Sequence, residues 1–442
     1  MPFCFHHVTV CKREYPTTLI AKANRFVRPS PIISRVNVFA ATAVLLSALA
    51  ASCPAQVPPM RVHDPRIIKA GDWFYLFSTG VGITVWRSHD LATWERDGAV
   101  FDQALPWTAN DFPRGNYYWA PDITYFGGKY HLYYAVSHFG INDSAIGHAT
   151  NATLDRSDNR FAWADQGSIV RTRTTDDWNA IDPSVFVDGK TPWLVAGSFW
   201  SGIKLLRLDP RTGALADTQR IALARRHAPD ALEAGCITHH GEFYYLLVSF
   251  DYCCRGVRST YKLMVGRSRD IAGPYVDFDG RPMMEGGGTL VLAGYGHVRG
   301  PGHAGVFNDG QRDLLVHHFY DADEDGRSKV QVRPLIWPAD GWPLAGEPLA
   351  ASPSASTQPA RIAGHWMYSI DFTEPFAVEL LDDSSTKPDV GRWSVKDGAI
   401  IFAASPPRRS TRLPLTCFLS ADQTCFIGRN AEGAIIRGVR GP

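Results

Sequence analysis

His63-Asp64-Pro65-Arg66-Ile67-Ile68 is the first of five stretches that repeat one pattern along the chain. Three of the five stretches carry a carboxylate at their second position, and every stretch is followed by a turn with Gly and a second strand-like run. The other four are Ala120-Pro121-Asp122-Ile123-Thr124-Tyr125, Ile181-Asp182-Pro183-Ser184-Val185-Phe186, Leu232-Glu233-Ala234-Gly235-Cys236-Ile237 and Pro301-Gly302-His303-Ala304-Gly305-Val306. Apolar runs bounded by Gly and Asp turns are typical of hairpin strands, and a period of roughly 50–70 residues fits propeller blades.

The repeat predicts a five-bladed β-propeller, in which the first strand of every blade lies at a central channel. Asp64, Asp182 and Glu233 would then surround one funnel, together with Asp122 and His303. A single Asp before Pro is ordinary turn chemistry. Three acids at one phase of a repeat instead indicate a shared chemical site.

Further motifs border these acids. They are Tyr118-Trp119-Ala120-Pro121-Asp122, Asn179-Ala180-Ile181-Asp182-Pro183, Gly197-Ser198-Phe199-Trp200-Ser201-Gly202-Ile203, Cys253-Cys254-Arg255-Gly256, Ser259-Thr260-Tyr261, Val265-Gly266-Arg267-Ser268 and Gly273-Pro274-Tyr275. With them, the chain from about residue 60 to residue 345 resembles a glycoside hydrolase family 43 endo-arabinanase.

The resemblance implies an enzyme that hydrolyses α-1,5-linked arabinan by internal cleavage, with inversion at the anomeric carbon. By position, it implies that Asp64 is the general base, that Glu233 is the general acid, and that Asp182 orients the acid and raises its pKa. The chemistry needs the same division of labour. One protonated carboxyl serves the leaving oxygen, one carboxylate activates water on the opposite face, and a third negative charge keeps the acid protonated.

Substrate contacts are expected from polar and aromatic residues beside the acids. Flat aromatic faces can cover the C–H faces of a pentose, while polar groups meet its hydroxyls. The candidates are Trp119, Asp122, Phe139, Trp178, Asn179, Ser198 and Trp200. For Asp122, a structural pairing with a neighbouring Arg is an equal alternative.

His303 lies where the resemblance implies a histidine beside a central calcium ion held largely by water. The residues alone favour a simpler role, because imidazole is a poor ligand for a hard cation. Calcium is therefore an expectation that comes from the resemblance.

The formal net charge of +1 on 442 residues, with both signs mixed throughout, leaves no basic stripe for nucleic acid. A neutral polysaccharide, such as arabinan or the side chains of pectin, is a compatible partner, and we expect a monomer without a membrane span. Two alternatives remain open at this stage. One is another propeller glycosidase, a β-xylosidase or exo-acting arabinofuranosidase, and the other is a non-catalytic carbohydrate-binding propeller.

Four segments are expected from composition. Residues 1–57 form a lead and secretion signal, whose apolar run Val36–Ala51 fits an h-region with Ala48-Leu49-Ala50 as cleavage sequence. This predicts a secreted or periplasmic protein, and Ala50-Ala51-Ser52-Cys53 leaves open lipoprotein anchoring at Cys53. Residues 58–348 form the propeller, 349–361 a Ser- and Ala-rich linker, and 362–442 the C-terminal β domain, so the expected fold class is all-β.

Cysteine pairing is left open by the sequence. Cys417 and Cys425 could bridge a hairpin, and Cys253 and Cys254 could form a vicinal bond or shape a loop near Glu233. Neither a zinc spacing nor a Cys-His nucleophile pattern is present in the sequence.

Overall fold

A computed structural model describes residues 60–112, 114–349, 362–403 and 414–441. Its strands form five four-stranded antiparallel blades and a separate eight-stranded sheet. The prediction of an all-β five-bladed propeller with a C-terminal barrel-like domain is confirmed. The predicted lead (1–57) and most of the predicted linker (349–361) lie outside the described residues.

Each blade is a meander whose strands follow one another in space. The strands are, in blade one, β1 (Arg66–Ala70), β2 (Trp73–Ser78), β4 (Thr84–Ser88) and β5 (Glu95–Ala99); in blade two, β6 (Tyr117–Phe126), β7 (Lys129–Ser137), β8 (Ser144–Asn151) and β9 (Ala164–Thr172); in blade three, β10 (Ser184–Asp188), β11 (Thr191–Ala196), β12 (Ile203–Arg207) and β13 (Ile221–Ala224); in blade four, β14 (Leu232–His240), β15 (Phe243–Phe250), β16 (Lys262–Ser268) and β17 (Thr289–Leu292); and in blade five, β18 (Val298–Asn308), β19 (Asp313–Asp321), β20 (Arg327–Ile336) and β21 (Leu344–Ala345). A short strand, β3 (Gly80–Val81), leaves blade one and pairs with β6 of blade two.

In the part of the chain that the structure describes, helical structure is confined to connections between strands. It consists there of one α-helical turn, α1 (Pro106–Ala109), and three 3-10 turns at Gly256–Arg258, Met283–Glu285 and Ala322–Glu324. Among the described residues, no helix has both the length and the apolar character needed to cross a membrane.

The first hairpin of blade two shows how local sequence sets the register. Gly127 and Gly128 both have positive φ, 56° and 80°, between the paired residues Phe126 and Lys129. A two-residue type I′ turn requires positive φ at both positions, which glycine adopts without steric cost. The register fixed by this turn buries the apolar run that follows in β7.

Five apolar layers hold the blades together, one in each gap between neighbouring blades. The gap between blades one and five is filled by residues such as Leu76 and Val316, both fully buried. Burial of one such side chain stabilises the fold by about 1.5–3 kcal/mol. Because β1 also contacts β18, the ring is closed and the first strands surround a common axis.

The C-terminal domain is a nearly closed sheet in the order β24-β23-β22-β29-β28-β27-β26-β25. Its strands are β22 (Gly364–Ile370), β23 (Phe376–Leu380), β24 (Thr386–Lys387), β25 (Arg392–Lys396), β26 (Ala399–Ala403), β27 (Leu415–Leu419), β28 (Cys425–Arg429) and β29 (Ile435–Arg440). Cys417 lies opposite Gly428, and the thiols of Cys417 and Cys425 are both free, so they do not bridge the hairpin. Arg429 donates to the carbonyl of Leu290 at 2.8 Å and thereby ties this domain to blade four.

Candidate active site

A cavity of about 1110 Å³ lies where the first strands of the blades begin. Its wall includes the three predicted acids, His303, and most of the predicted substrate contacts. These residues are Asp64, Asp182, Glu233, His303, Trp119, Phe139, Asn179, Ser198 and Trp200. The repeat has therefore brought residues from all five blades to one site.

The backbone at this cavity is left-handed at the same point of each repeat. The residues are Asp64 (φ 52°), Ala120 (φ 44°), Asp182 (φ 56°), Ala234 (φ 55°) and His303 (φ 54°). A non-glycine residue in this region costs on the order of 1–3 kcal/mol, and such strain is concentrated at functional sites in proteins. The surrounding blades maintain this conformation five times around one axis.

Asp122 belongs to a second layer of side chains, two residues beyond the left-handed position of each repeat. Two residues beyond this point in each blade stand Arg66, Asp122, Ser184, Cys236 and Gly305, and all five line a second cavity of about 370 Å³. Strand side chains repeat every two residues, so this set forms the next layer along the channel.

Asp122 in that layer is an ion-pair partner. Its Oδ1 lies 2.8 Å from Arg66 Nε, and its Oδ2 accepts a hydrogen bond of 2.7 Å from the Val185 amide. Both charged side chains are buried. The structure therefore places Asp122 outside the main cavity, and this favours the structural alternative over substrate binding.

Asp64 is surrounded by hydrogen-bond donors. The Thr79 hydroxyl donates to Oδ2 at 2.6 Å, and His63 Nδ1 lies 2.8 Å from the same oxygen. His303 Nδ1 lies 3.1 Å from Oδ1, whereas His318 Nδ1, 3.5 Å from that oxygen, accepts a hydrogen bond of 3.2 Å from the Asp64 amide. Burial alone would raise the pKa of the Asp64 carboxyl, but the imidazoles, above all His63, hold that pKa well below its usual value. Asp64 is therefore ionised.

Glu233 and Asp182 form the opposite environment. Burial raises the pKa of both carboxyls and is the largest cause of the shift in each. For Asp182, the second largest cause is the negative charge of Glu233, which also raises the pKa. Ser198 and Tyr261 donate hydrogen bonds to Glu233 at 2.7 Å and 2.9 Å, and the Ala234 amide donates to Asp182 at 3.2 Å. These donors favour the ionised forms and only partly offset burial. The pair therefore retains a proton above the pH at which an ordinary carboxyl loses it.

The loop that carries Ser198 is fixed against blade four. The Phe199 amide donates to the Leu232 carbonyl at 2.8 Å, and Ser198 forms a β-bridge with Glu233. Gly197 has a φ of 134°, and a Cβ there would lie 2.3 Å from the Gly202 carbonyl oxygen. Only glycine permits this close turn, which holds the Ser198 hydroxyl against the carboxyl of Glu233.

The aromatic candidates divide into two groups. Trp119, Phe139 and Trp200 line the cavity, and Phe139 is 81% exposed. Trp178 is 1% exposed and packs in the layer between blades two and three. The structure therefore places Trp178 in the core and not in the wall of the cavity.

Several residues at the site were not assigned a role from the sequence. Thr79 follows β2 without any distinguishing pattern, and only its contact with Asp64 reveals it. The sequence did contain a signal for His318 and Tyr320. Both lie on β19, two residues apart, so they share one face of the strand. Tyr261 belongs to the motif Ser259-Thr260-Tyr261, but its hydrogen bond to Glu233 joins the loop after β15 to the start of β14 within blade four, which the motif does not show.

Histidines could also hold a metal ion near the axis. The ligand atoms of His63, Asp64 and His318 all lie within 4.8 Å of one another. His318 Nε2 is buried and has no hydrogen-bond partner among the described residues. Because His318 Nδ1 accepts a hydrogen bond from the Asp64 amide, Nε2 carries the proton of the neutral ring, and an acceptor such as a bound water would satisfy it.

Carboxyls held in opposite environments within one aromatic-lined cavity are typical of the active site of a glycoside hydrolase. The model of glycosyl hydrolases family 43 matches residues 56–343. The chain belongs to this family, as its sequence motifs suggested.

Relatives with both modes of cleavage are similar to the chain. The extracellular endo-alpha-(1->5)-L-arabinanase 1 of Bacillus subtilis (strain 168) is 42% identical over 282 residues, which are 62% of this chain and 85% of the relative. The extracellular exo-alpha-(1->5)-L-arabinofuranosidase ArbA of Cellvibrio japonicus (strain Ueda107) is 37% identical over 310 residues, or 67% of this chain and 89% of the relative.

A solved structure also matches the C-terminal part of the fold. The endo-1,5-alpha-L-arabinanase from Thermotoga petrophila RKU-1 superposes with a TM-score of 0.71 and covers 86% of this chain and 98% of its own. At 24% identity, this likeness concerns the fold alone.

Proposed function

We propose that the protein hydrolyses α-1,5-L-arabinofuranosidic bonds in arabinan with inversion at the anomeric carbon. One arrangement supports the proposal: a single cavity lowers the pKa of the Asp64 carboxyl through its imidazole neighbours and raises the pKa of the Asp182 and Glu233 carboxyls through burial. An inverting glycosidase needs one ionised base and one protonated acid at the same pH. The named activities of the two relatives support the substrate.

In this mechanism, Asp64 accepts a proton from a water that attacks the anomeric carbon. Glu233 donates its proton to the leaving oxygen on the opposite face of the sugar. As Glu233 becomes negative, the hydroxyls of Ser198 and Tyr261 stabilise the new carboxylate through hydrogen bonds that already exist. Asp182 accepts a hydrogen bond from the amide of Ala234, the residue after Glu233, so it is a positioning residue.

Internal cleavage is the favoured mode, because the Bacillus subtilis relative at 42% identity is named an endo-arabinanase. Exo action is the second candidate, since the relative at 37% identity carries an exo name. A time course on debranched linear arabinan separates the two modes. Internal cleavage gives a ladder of oligosaccharides and an early fall in viscosity, whereas end cleavage gives one short product from the first minutes. Absence of any reducing-sugar release would contradict the proposal itself.

A calcium ion at the propeller axis is a further part of the proposal. His303 lines the cavity, and the possible ligand atoms of His63, Asp64 and His318 lie within 4.8 Å of one another. Calcium prefers oxygen ligands, so the ion would keep much of its water and would supply positive charge near Asp64. Chelation should then lower activity or the melting temperature, re-added calcium should restore it, and His303→Ala should reproduce the loss. An enzyme stripped of metal with unchanged activity and melting temperature would remove calcium from the proposal.

Secretion is supported by the names of both relatives, which are called extracellular. We propose arabinan side chains of pectin as the natural partner and a monomer as the working state. The periplasm, and lipid anchoring at Cys53, remain alternatives to release into the medium. Amino-terminal sequencing of the exported protein distinguishes them, because cleavage before Cys53 with a blocked terminus would indicate a lipoprotein.

A further inference from the structure

Two adjacent thiols stand in the wall of the cavity without a role in the chemistry described above. Cys253 and Cys254 lie on the loop between β15 and β16, and both line the cavity. Their Sγ atoms are 2.6 Å apart, and Cys254 is exposed. Among the other described cysteines, Cys236 and Cys417 are buried and Cys425 is partly buried.

The loop that carries the pair is held in one conformation. Tyr252 and Thr260 exchange hydrogen bonds across its base, at 3.3 Å and 3.1 Å, and the Arg255 amide donates to Ser259 Oγ at 3.0 Å. Cys254 has a φ of 61°, a conformation that a non-glycine residue adopts only when its surroundings impose it. Nothing in the proposed hydrolysis requires this strained arrangement of two sulfur atoms.

A chain of hydrogen bonds leads from this loop to the proposed base. The Cys254 amide donates to Tyr320 Oη at 2.8 Å, and Tyr320 Oη lies 2.7 Å from His63 Nε2. His63 Nδ1 in turn lies 2.8 Å from Asp64 Oδ2. The position of the Cys254 backbone therefore bears on the orientation of Asp64.

We propose that Cys253 and Cys254 are a redox-modification site whose two thiols form a vicinal disulfide. The disulfide would fix the positions of the Tyr320, His63 and Asp64 side chains. Export to an oxidising compartment, which the proposed function includes, would favour the closed form. The effect on catalysis rests on the proposed function, whereas disulfide formation does not.

The oxidant is a small-molecule disulfide such as oxidised glutathione. The deprotonated Cys254 Sγ attacks one of its sulfurs, forms a mixed disulfide and releases one thiolate. Cys253 Sγ then loses its proton, attacks Cys254 Sγ and releases the second thiolate. Two protein thiols thus lose two protons and two electrons, and the reagent is reduced to two thiols.

The closure is measured on the full chain after incubation with oxidised glutathione. The protein is unfolded, alkylated without reductant, digested and analysed by mass spectrometry. The peptide with Cys253 and Cys254 should be unlabelled and lighter by two hydrogen atoms, while Cys236, Cys417 and Cys425 should be labelled. A phosphine reductant should make the pair available to the label. Alkylation of both vicinal thiols without reductant would overturn the inference.

The effect on the site is measured by hydrogen exchange and by kinetics. Reduction should speed exchange of the Cys254 amide and lower kcat/KM on arabino-oligosaccharides by about 5-fold, a typical coupling between two sites. The double variant Cys253→Ser/Cys254→Ser should have the kcat/KM of the reduced protein, and addition of the reductant should not change it. Cys425→Ser, altered in the other domain, should respond like the wild type. If reduction changed neither the exchange rate of the Cys254 amide nor kcat/KM, the proposed role of the disulfide in positioning Asp64 would be overturned. Loss of hydrolysis in both redox states would instead contradict the proposed function and leave the mass result standing.

Discussion

Tyr261→Phe removes one hydroxyl from a fully enclosed ring and leaves the shape of the site intact. The hydroxyl donates to Glu233 Oε1 at 2.9 Å, and the side chain is 2% exposed. A hydrogen bond to a charged group contributes about 1.5–3 kcal/mol. Because Glu233 gains its charge as the leaving oxygen is protonated, the loss falls on the transition state. At about 1.4 kcal/mol per factor of ten, kcat on arabino-oligosaccharides should fall roughly 10- to 100-fold.

The same variant should move the alkaline limb of the pH profile. The lost bond favoured the ionised form of Glu233, so its removal raises the pKa of that carboxyl further. Activity needs protonated Glu233, and the limb should therefore shift upward, by about one pH unit for about 1.4 kcal/mol. Initial rates across pH, on a natural oligosaccharide and on an aryl arabinofuranoside, measure this.

The control for Tyr261→Phe is Tyr245→Phe. The Tyr245 hydroxyl donates to the Gly341 carbonyl at 2.6 Å, away from the cavity, so its loss should affect stability and leave the pH limbs in place. A downward shift of the alkaline limb in Tyr261→Phe, or an unchanged kcat, would refute the role given to the Glu233 contacts.

Two further predictions follow from the carboxyls and from a buried histidine pair. Asp64→Ala, Asp182→Ala and Glu233→Ala should each lower kcat on arabinan by roughly 10²–10⁴-fold with the fold intact by circular dichroism, and an aryl substrate with a good leaving group should partly rescue only the Glu233 variant; near-normal turnover in one of them would remove its role. Burial lowers the pKa of His131 to about 4 and of His148 to about 3, so folding favours their neutral forms. This stability is complete above pH ~6.5 and is lost as the pH falls toward the folded values, at a cost on the order of 3 kcal/mol for His131. The melting temperature should therefore drop between pH 6.5 and 4, and the double variant His131→Phe/His148→Phe should lose less; an equal loss in both proteins would show that these histidines do not contribute.

The sequence predicted the propeller and its acids because both depend on local features that repeat. Strand, turn and carboxylate recur together, so one phase places Asp64 and Asp182 at the left-handed residue of their repeats. The prediction of three acids at one phase was wrong for Glu233, because Ala234 is the left-handed residue of its repeat and Glu233 precedes it. The position of Asp122 was readable in the same way. When the repeats are aligned on Pro65 and Pro121, Asp122 occupies the position of Arg66. This position lies two residues after that of Asp64, in the next layer of side chains.

Other contacts at the site depend on how the blades pack and leave no pattern in the sequence. Thr79 directly follows β2, and its hydroxyl donates to Asp64 while it accepts a hydrogen bond from the Ala120 amide of blade two. Trp178 adjoins the motif of Asp182, yet it points into the layer between two blades. The direction of a single loop side chain is set by packing, and residue type alone does not reveal it.

The stereochemistry of the first product tests the central claim most directly. If Asp64 activates water and Glu233 protonates the leaving oxygen, each turnover inverts the anomeric carbon. Proton NMR during the first minutes of hydrolysis of an α-linked arabino-oligosaccharide should show the β-anomer before mutarotation. Initial release of the α-anomer, or a sugar trapped covalently on Asp64, would show that Asp64 is a nucleophile and would contradict the account.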